Sequence, residues 1–128
     1  MSAMSDYLEL KFLEHFTGTA STSAPSAVYL GLSTGSMADD NSGTELSGNN
    51  YSRKAITFAS AASGSISTNA AVEFDAATGS WGTVSHWAIY DASSGGNQLF
   101  HGAFTTGKAI GSGDILKVAS GSLTITAA

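Results

Sequence analysis

Val84-Ser-His-Trp-Ala-Ile-Tyr-Asp91, followed across residues 92–97 by Gln98-Leu-Phe-His-Gly-Ala-Phe104, is the stretch that decides the fold. Both segments alternate in the two-residue period of strands lying on a core. Between them Gly95-Gly96 can supply the positive φ of a tight turn. With those glycines central, Trp87, Ile89, Phe100 and Phe104 share one face, and His86, Ala88, Tyr90, Leu99 and His101 share the other. The first set holds the larger apolar groups and is assigned to the core; a slip of one residue would invert the assignment.

Working outward, period two recurs. Val28, Leu30 and Leu32 face one way and Tyr29, Gly31 and Ser33 the other. Further strand signals fall at 51–58, 66–74, 114–119 and 122–126, separated by turn signals. About seven short strands with almost no helix between them predict a mainly β, single-domain β-sandwich or jelly-roll. A polar, glycine-punctuated loop occupies 34–50, long enough to serve a function or an interface.

Residues 5–16 are the exception. Leu8, Phe12, Leu13 and Phe16 recur at helical spacing, with Glu9 and Glu14 off the stripe, predicting one N-terminal amphipathic helix. Ser5 or Asp6 caps its start, and Gly18 stops it. Residues 1–18 are read as a helical arm and 19–128 as the β-sandwich, one domain overall.

The 128 residues carry a net charge of −5 and no cysteine. Five cations, Lys11, Arg53, Lys54, Lys108 and Lys117, are too scattered to track phosphates, so nucleic acid is not expected as a partner. No basic-then-apolar leader and no membrane-length run are present, so synthesis in the cytosol and no membrane partner are expected. Much of the apolar content is alanine, and serine and glycine are abundant, so the core is thin and burial between copies would add stability.

Candidate chemistry is sparse. His15, His86 and His101 are possible ligands, but the nearest further donors, Asp75 and Asp91, have no recognisable spacing, and no metal site is expected. The cluster Asp39, Asp40, Asn41 and Glu45 lacks the ligand pattern of a calcium loop. No nucleophile elbow or phosphate cradle is legible, which predicts no catalytic residues, no cofactor and no enzyme. Tyr29, Tyr51, Trp81 and Tyr90, if exposed, could stack on sugars or anchor a protein interface.

The order of segments resembles short tailed-bacteriophage virion proteins of the capsid decoration (cement) or tail-fibre-like kind. The likeness is carried by the helix ending in Leu-Glu-His-Phe16, by Ala24-Pro-Ser-Ala-Val-Tyr-Leu-Gly-Leu-Ser-Thr34, by Asn50-Tyr-Ser-Arg-Lys-Ala-Ile-Thr-Phe58 and by Trp81 to Asp91. Gly95 to Ala103, Gly113-Asp-Ile-Leu-Lys117 and Ser122-Leu-Thr-Ile-Thr126 complete it. The resemblance implies a non-enzymatic virion subunit, made in the host cytoplasm and assembled as a homo-oligomer, a trimer being favoured. The expected role is a cement subunit bound to a partner such as the major capsid protein; the alternative is a tail-fibre, neck or receptor- or carbohydrate-binding protein. The expected interface residues are Leu8, Phe12, Leu13, Phe16, Tyr29, Tyr51, Trp81, Tyr90, His86 and His101, with the 34–50 loop.

Overall fold

A computed structural model describes residues 2–126. In chain order the elements are β1 (Ser2–Met4), α1 (Asp6–Phe16), β2 (Val28–Ser33), β3 (Lys54–Ile56), β4 (Ser65–Ser67), β5 (Val72–Glu73), β6 (Gly82–Tyr90), β7 (Gln98–Ile110), β8 (Lys117–Val118) and β9 (Thr124–Thr126). The chain is mainly β, as the alternating pattern predicts. β1, β7, β6, β2 and β3 form one antiparallel sheet in that order, and β4–β9 and β5–β8 form two short antiparallel ladders. Among the described residues, nine strands replace the seven or so expected. The single 66–74 signal breaks into the ends of two ladders around Thr68, and the edge strand β1 carries no period of its own.

The hairpin face assignment holds, although by a different register. Asp91 N–H donates to Asn97 O (3.1 Å), so residues 92–96 form a five-residue loop with Gly95 and Gly96 both at positive φ. That pairing alone would place Leu99 opposite Ile89, turning the wrong side of β7 to the core. The register shifts by one between Ile89 and Tyr90, leaving Leu99 as the extra residue and setting Phe100 opposite Ile89. Trp87 and Ile89 are buried in the main core, and Phe100 and Phe104 pack on it. Side chains from both short ladders, including Val72, Val118 and Ile125, enter the same core, with Phe74 beside them.

The opposite sheet face is also covered. There Ala88 and Tyr90 cluster with Met37, from the 34–50 segment. That segment is tied down by Leu46 N–H to Leu32 O (2.9 Å) and Ser33 Oγ–H to Thr44 O (2.6 Å). At its end Glu45 extends over Gly31, where any Cβ would stand 2.8 Å from Glu45 Oε2 and 2.7 Å from the Tyr90 ring. The Glu45 carboxylate accepts from Tyr51 Oη–H (2.5 Å), Arg53 Nε (2.9 Å) and Arg53 Nη2 (2.8 Å). Arg53 Nη1 also donates to Ala92 O and Gly95 O, both at 2.8 Å, and its guanidinium lies 3.4 Å from the Tyr90 ring centroid. One partly buried ion pair therefore joins the loop, the β3 approach and the hairpin tip.

Burial opposes the Arg53 charge, but the hydrogen bonds and charge of Glu45 hold its pKa above the ordinary value. Burial, then the Glu45 hydrogen bond and charge, pushes the Tyr51 phenol up. Burial followed by the Glu45 charge pushes Tyr90 up from 10.0 to about 12.

Glu45→Gln would leave Arg53, 8% exposed in its side chain, without a counter-charge. A loss of about 3 kcal/mol in chemical denaturation is expected, with a smaller loss for the double variant Glu45→Gln/Arg53→Met. Because Tyr90 titrates above its unfolded value of 10.0, its neutral form contributes full stability below pH 10, and that contribution is lost as pH rises through about 12. Alkaline melting curves of Tyr90→Phe should accordingly fall less steeply across this window than those of the parent.

Candidate functional site

α1 begins at a buried junction. Ser5 is 1% exposed. Its N–H donates to Leu99 O (2.9 Å), its hydroxyl donates to Gln98 O, and its Oγ caps the helix by accepting from Leu8 N–H (3.2 Å). Ser5, not Asp6, is thus the cap. Asp6 N–H instead donates to Asp39 O (2.9 Å), fixing the helix start to the 34–50 segment. The far end closes on Thr17, whose hydroxyl donates to Leu13 O (2.7 Å), and on Gly18 at φ +77°, the stop the sequence predicts.

Between these anchors no helical residue is buried. Tyr7, Leu8 and Lys11 line a groove of about 400 Å³ between the helix and the body, with Val28, Phe58 and Ile125 on its other walls. The outer face is apolar: Leu10 is 61% exposed, Phe12 50%, Leu13 58% and Phe16 73%. Phe12 and Phe16 meet at 5.0 Å between ring centroids, and the His15 ring edges onto Phe16 at 4.8 Å. Among the described residues, every large exposed apolar side chain except Ile115 lies on this helix. The exposed apolar surface is therefore concentrated on one element, the usual mark of a contact surface.

Of the expected interface residues, Phe12, Leu13 and Phe16 lie together on that face. Leu8 turns toward the groove, and Leu10, which the stripe omitted, replaces it. The aromatic set does not form an exposed surface. Trp81 is 5% exposed and donates its indole N–H to Asn49 O (2.9 Å), while Tyr90 is 3% exposed beneath Arg53. Tyr51 is half-buried, stacked on Phe74 at 6.2 Å and meeting Trp81 edge-on at 5.5 Å; Tyr29 is half-buried in β2. The expectation of open aromatic rings for sugars is thus corrected at Trp81 and Tyr90, whose rings complete the fold.

The histidines separate as well. His101 Nε2 lies 2.5 Å from Asp39 Oδ1, His86 Nδ1 lies 2.7 Å from Ser85 Oγ, and His15 Nδ1 accepts from Thr22 N–H (3.2 Å). Among the described residues no three His, Cys, Asp or Glu side chains are grouped to hold a metal ion. Sequence patterning misses Ser5 altogether as the anchor of the candidate surface, because one serine signals a cap and not its burial against β7. Ser5→Ala removes the cap and the bond to Gln98 O. A stability loss of about 1–2 kcal/mol is expected, with faster hydrogen exchange confined first to α1 and β1.

No curated protein matches the chain. A family model described as podophage GP4 fiber I protein gp80 matches residues 3–126, from β1 to β9. With nearly its whole length matched, the chain belongs to this family of tailed-phage virion structural proteins.

Proposed function

We propose that the chain is a non-enzymatic structural subunit of a podophage fibre, and that the outer face of α1 packs against a neighbouring subunit in the particle. The observation that carries the packing step is the exposure of Leu10, Phe12, Leu13 and Phe16 on a helix whose start is bonded to β7 and to the 34–50 segment. Burying such side chains contributes roughly 1.5–3 kcal/mol each when fully transferred from water, enough for a few residues to dominate an interface. The family's fibre description supports this position better than a capsid-cement role. The partner set consistent with it is further copies of the chain, a trimer being the favoured form, together with adjoining virion proteins.

The test uses Leu10→Gln/Phe16→Gln, which leaves Leu8 and Ser5 untouched. Both altered side chains are exposed, so thermal stability should stay within about 0.5 kcal/mol of the parent. Oligomer mass by light scattering should fall, and incorporation into fibres of complemented phage should drop at least about tenfold, as expected for a lost hot spot. Unchanged assembly would remove the helix face from the interface, and saturable binding to fibreless capsids would restore the cement reading.

A further inference from the structure

The five cationic side chains are used unevenly. Lys11 pairs with Glu14, Arg53 with Glu45 and Lys54 with Asp75. Lys108, near the end of β7, and Lys117, in β8, have no ion-pair partner among the described residues, although Glu73 stands opposite Lys117 in the ladder register. Both lysines line one cleft of about 310 Å³, with Val84, Phe104 and Leu116 in its walls. The chain is acidic overall, and the charged side chains that line this cleft are both lysines.

An acidic patch lies at the start of β7. There a cavity of about 380 Å³ is walled by Asp6, Asp39, Asp40 and Asn41, with Gln98 beneath. Asp39 contacts His101, and none of the three carboxylates meets a lysine or arginine among the described residues. Gln98 is 1% exposed; its Nε2 donates to Ala38 O (2.8 Å), and its Oε1 has no partner among the described residues. The three carboxylates therefore face no lysine or arginine of their own copy among the described residues. A lysine ammonium, with three donors and no acceptor, is the chemical complement of such a carboxylate group.

The two features sit at opposite ends of one ladder. Lys108 stands opposite Val84, and Gln98 opposite Tyr90. Six steps along β6 correspond to ~20 Å. A surface and its complement at opposite ends of a rigid unit cannot meet within one copy, but they can meet between copies.

We propose that the Lys108–Lys117 cleft of one copy docks on the Asp6–Asp39–Asp40 cavity of the next, forming a head-to-tail contact between copies of this chain. Such a heterologous contact propagates into a row unless its rotation closes a ring. The inference extends the fibre reading but uses none of the α1 outer-face residues. Because the groups are near the surface, the contact is sensitive to salt, and their complementarity sets orientation more than affinity.

The experiment compares the full chain with Lys108→Glu/Lys117→Glu and with Asp6→Lys/Asp40→Lys by sedimentation velocity. Ionic strength is taken from ~0.01 M to ~1 M, where the screening length falls from ~30 Å to ~3 Å. Circular dichroism confirms that each variant is folded. The parent should associate at low salt and lose that association at high salt, and each variant alone should associate at least about tenfold more weakly. An equal mixture of the two variants should recover association, since each altered surface then meets its complement. A mixture that stays dissociated, or single variants that associate like the parent, would overturn the proposal. Leu10→Gln/Phe16→Gln run in parallel should keep the salt-sensitive step, so loss of the helix contact and loss of this one are read separately.

Discussion

The structure depends on a carboxylate placed over a glycine. Glu45 reaches across Gly31, where a Cβ would collide with its Oε2 at 2.8 Å, and meets Tyr51 and both arms of Arg53. The charges are withdrawn from water at a cost, and the geometry offsets it: three hydrogen bonds on the acid, further bonds from the arginine to Ala92 O and Gly95 O, and an aromatic face under the guanidinium. A buried pair of this kind contributes little net stability against an apolar alternative. It does specify arrangement, because removing either partner leaves the other stranded. Here it fixes three segments that have few large apolar side chains of their own.

That need follows from the composition. A sheet requires a second layer, and the second layer here is two short ladders, not another full sheet. Their contribution to the core is a few branched side chains, among them Val72, Val118 and Ile125, with Phe74 beside them. The sheet's outer face is closed by Met37 and Tyr90, and α1 meets the body across the groove lined by Tyr7, Leu8 and Lys11 on one side and Val28, Phe58 and Ile125 on the other. The helix is bonded to the body at its start, through Ser5 and Asp6, and capped within its own last turn at the far end, and Leu10, Phe12, Leu13 and Phe16 stay in water in the isolated chain. An apolar face so held is available to a neighbour without unfolding anything first.

How far this was legible in the sequence varies by element. The hairpin faces were, because side-chain alternation fixes parity and the actual register keeps the parity of the simplest turn once Leu99 is bulged out. The helix limits were, through Ser5 and Gly18. The helix's inward side was not: the spacing of Leu8, Phe12, Leu13 and Phe16 marks a stripe but does not say that a body-facing groove takes Leu8 with Tyr7 and Lys11 and leaves Leu10 out. Burial of Trp81 and Tyr90 was hidden for a related reason. What covers them, Asn49 O and Arg53, comes from loop residues distant in the chain, and no local period encodes such contacts.

Charge on this chain has position as well as sign. Glu14, Glu45 and Asp75 take up Lys11, Arg53 and Lys54, and these pairs either stay at the surface or brace the fold. Of the charge left over, Lys108 and Lys117 line one cleft where β7 ends, and Asp6 and Asp40, with Asp39 against His101, line one cavity where it begins. A net charge of −5 makes copies repel at long range, so contacts between them need local complementarity to set their orientation. An apolar helix face supplies attraction with little directional preference, whereas opposite charges at the two ends of a rigid ladder supply direction with little attraction. On the proposed packing the two divide the work: the Lys108–Lys117 cleft lies away from the helix, and Asp6 of the acidic end opens α1 at the end opposite Phe16.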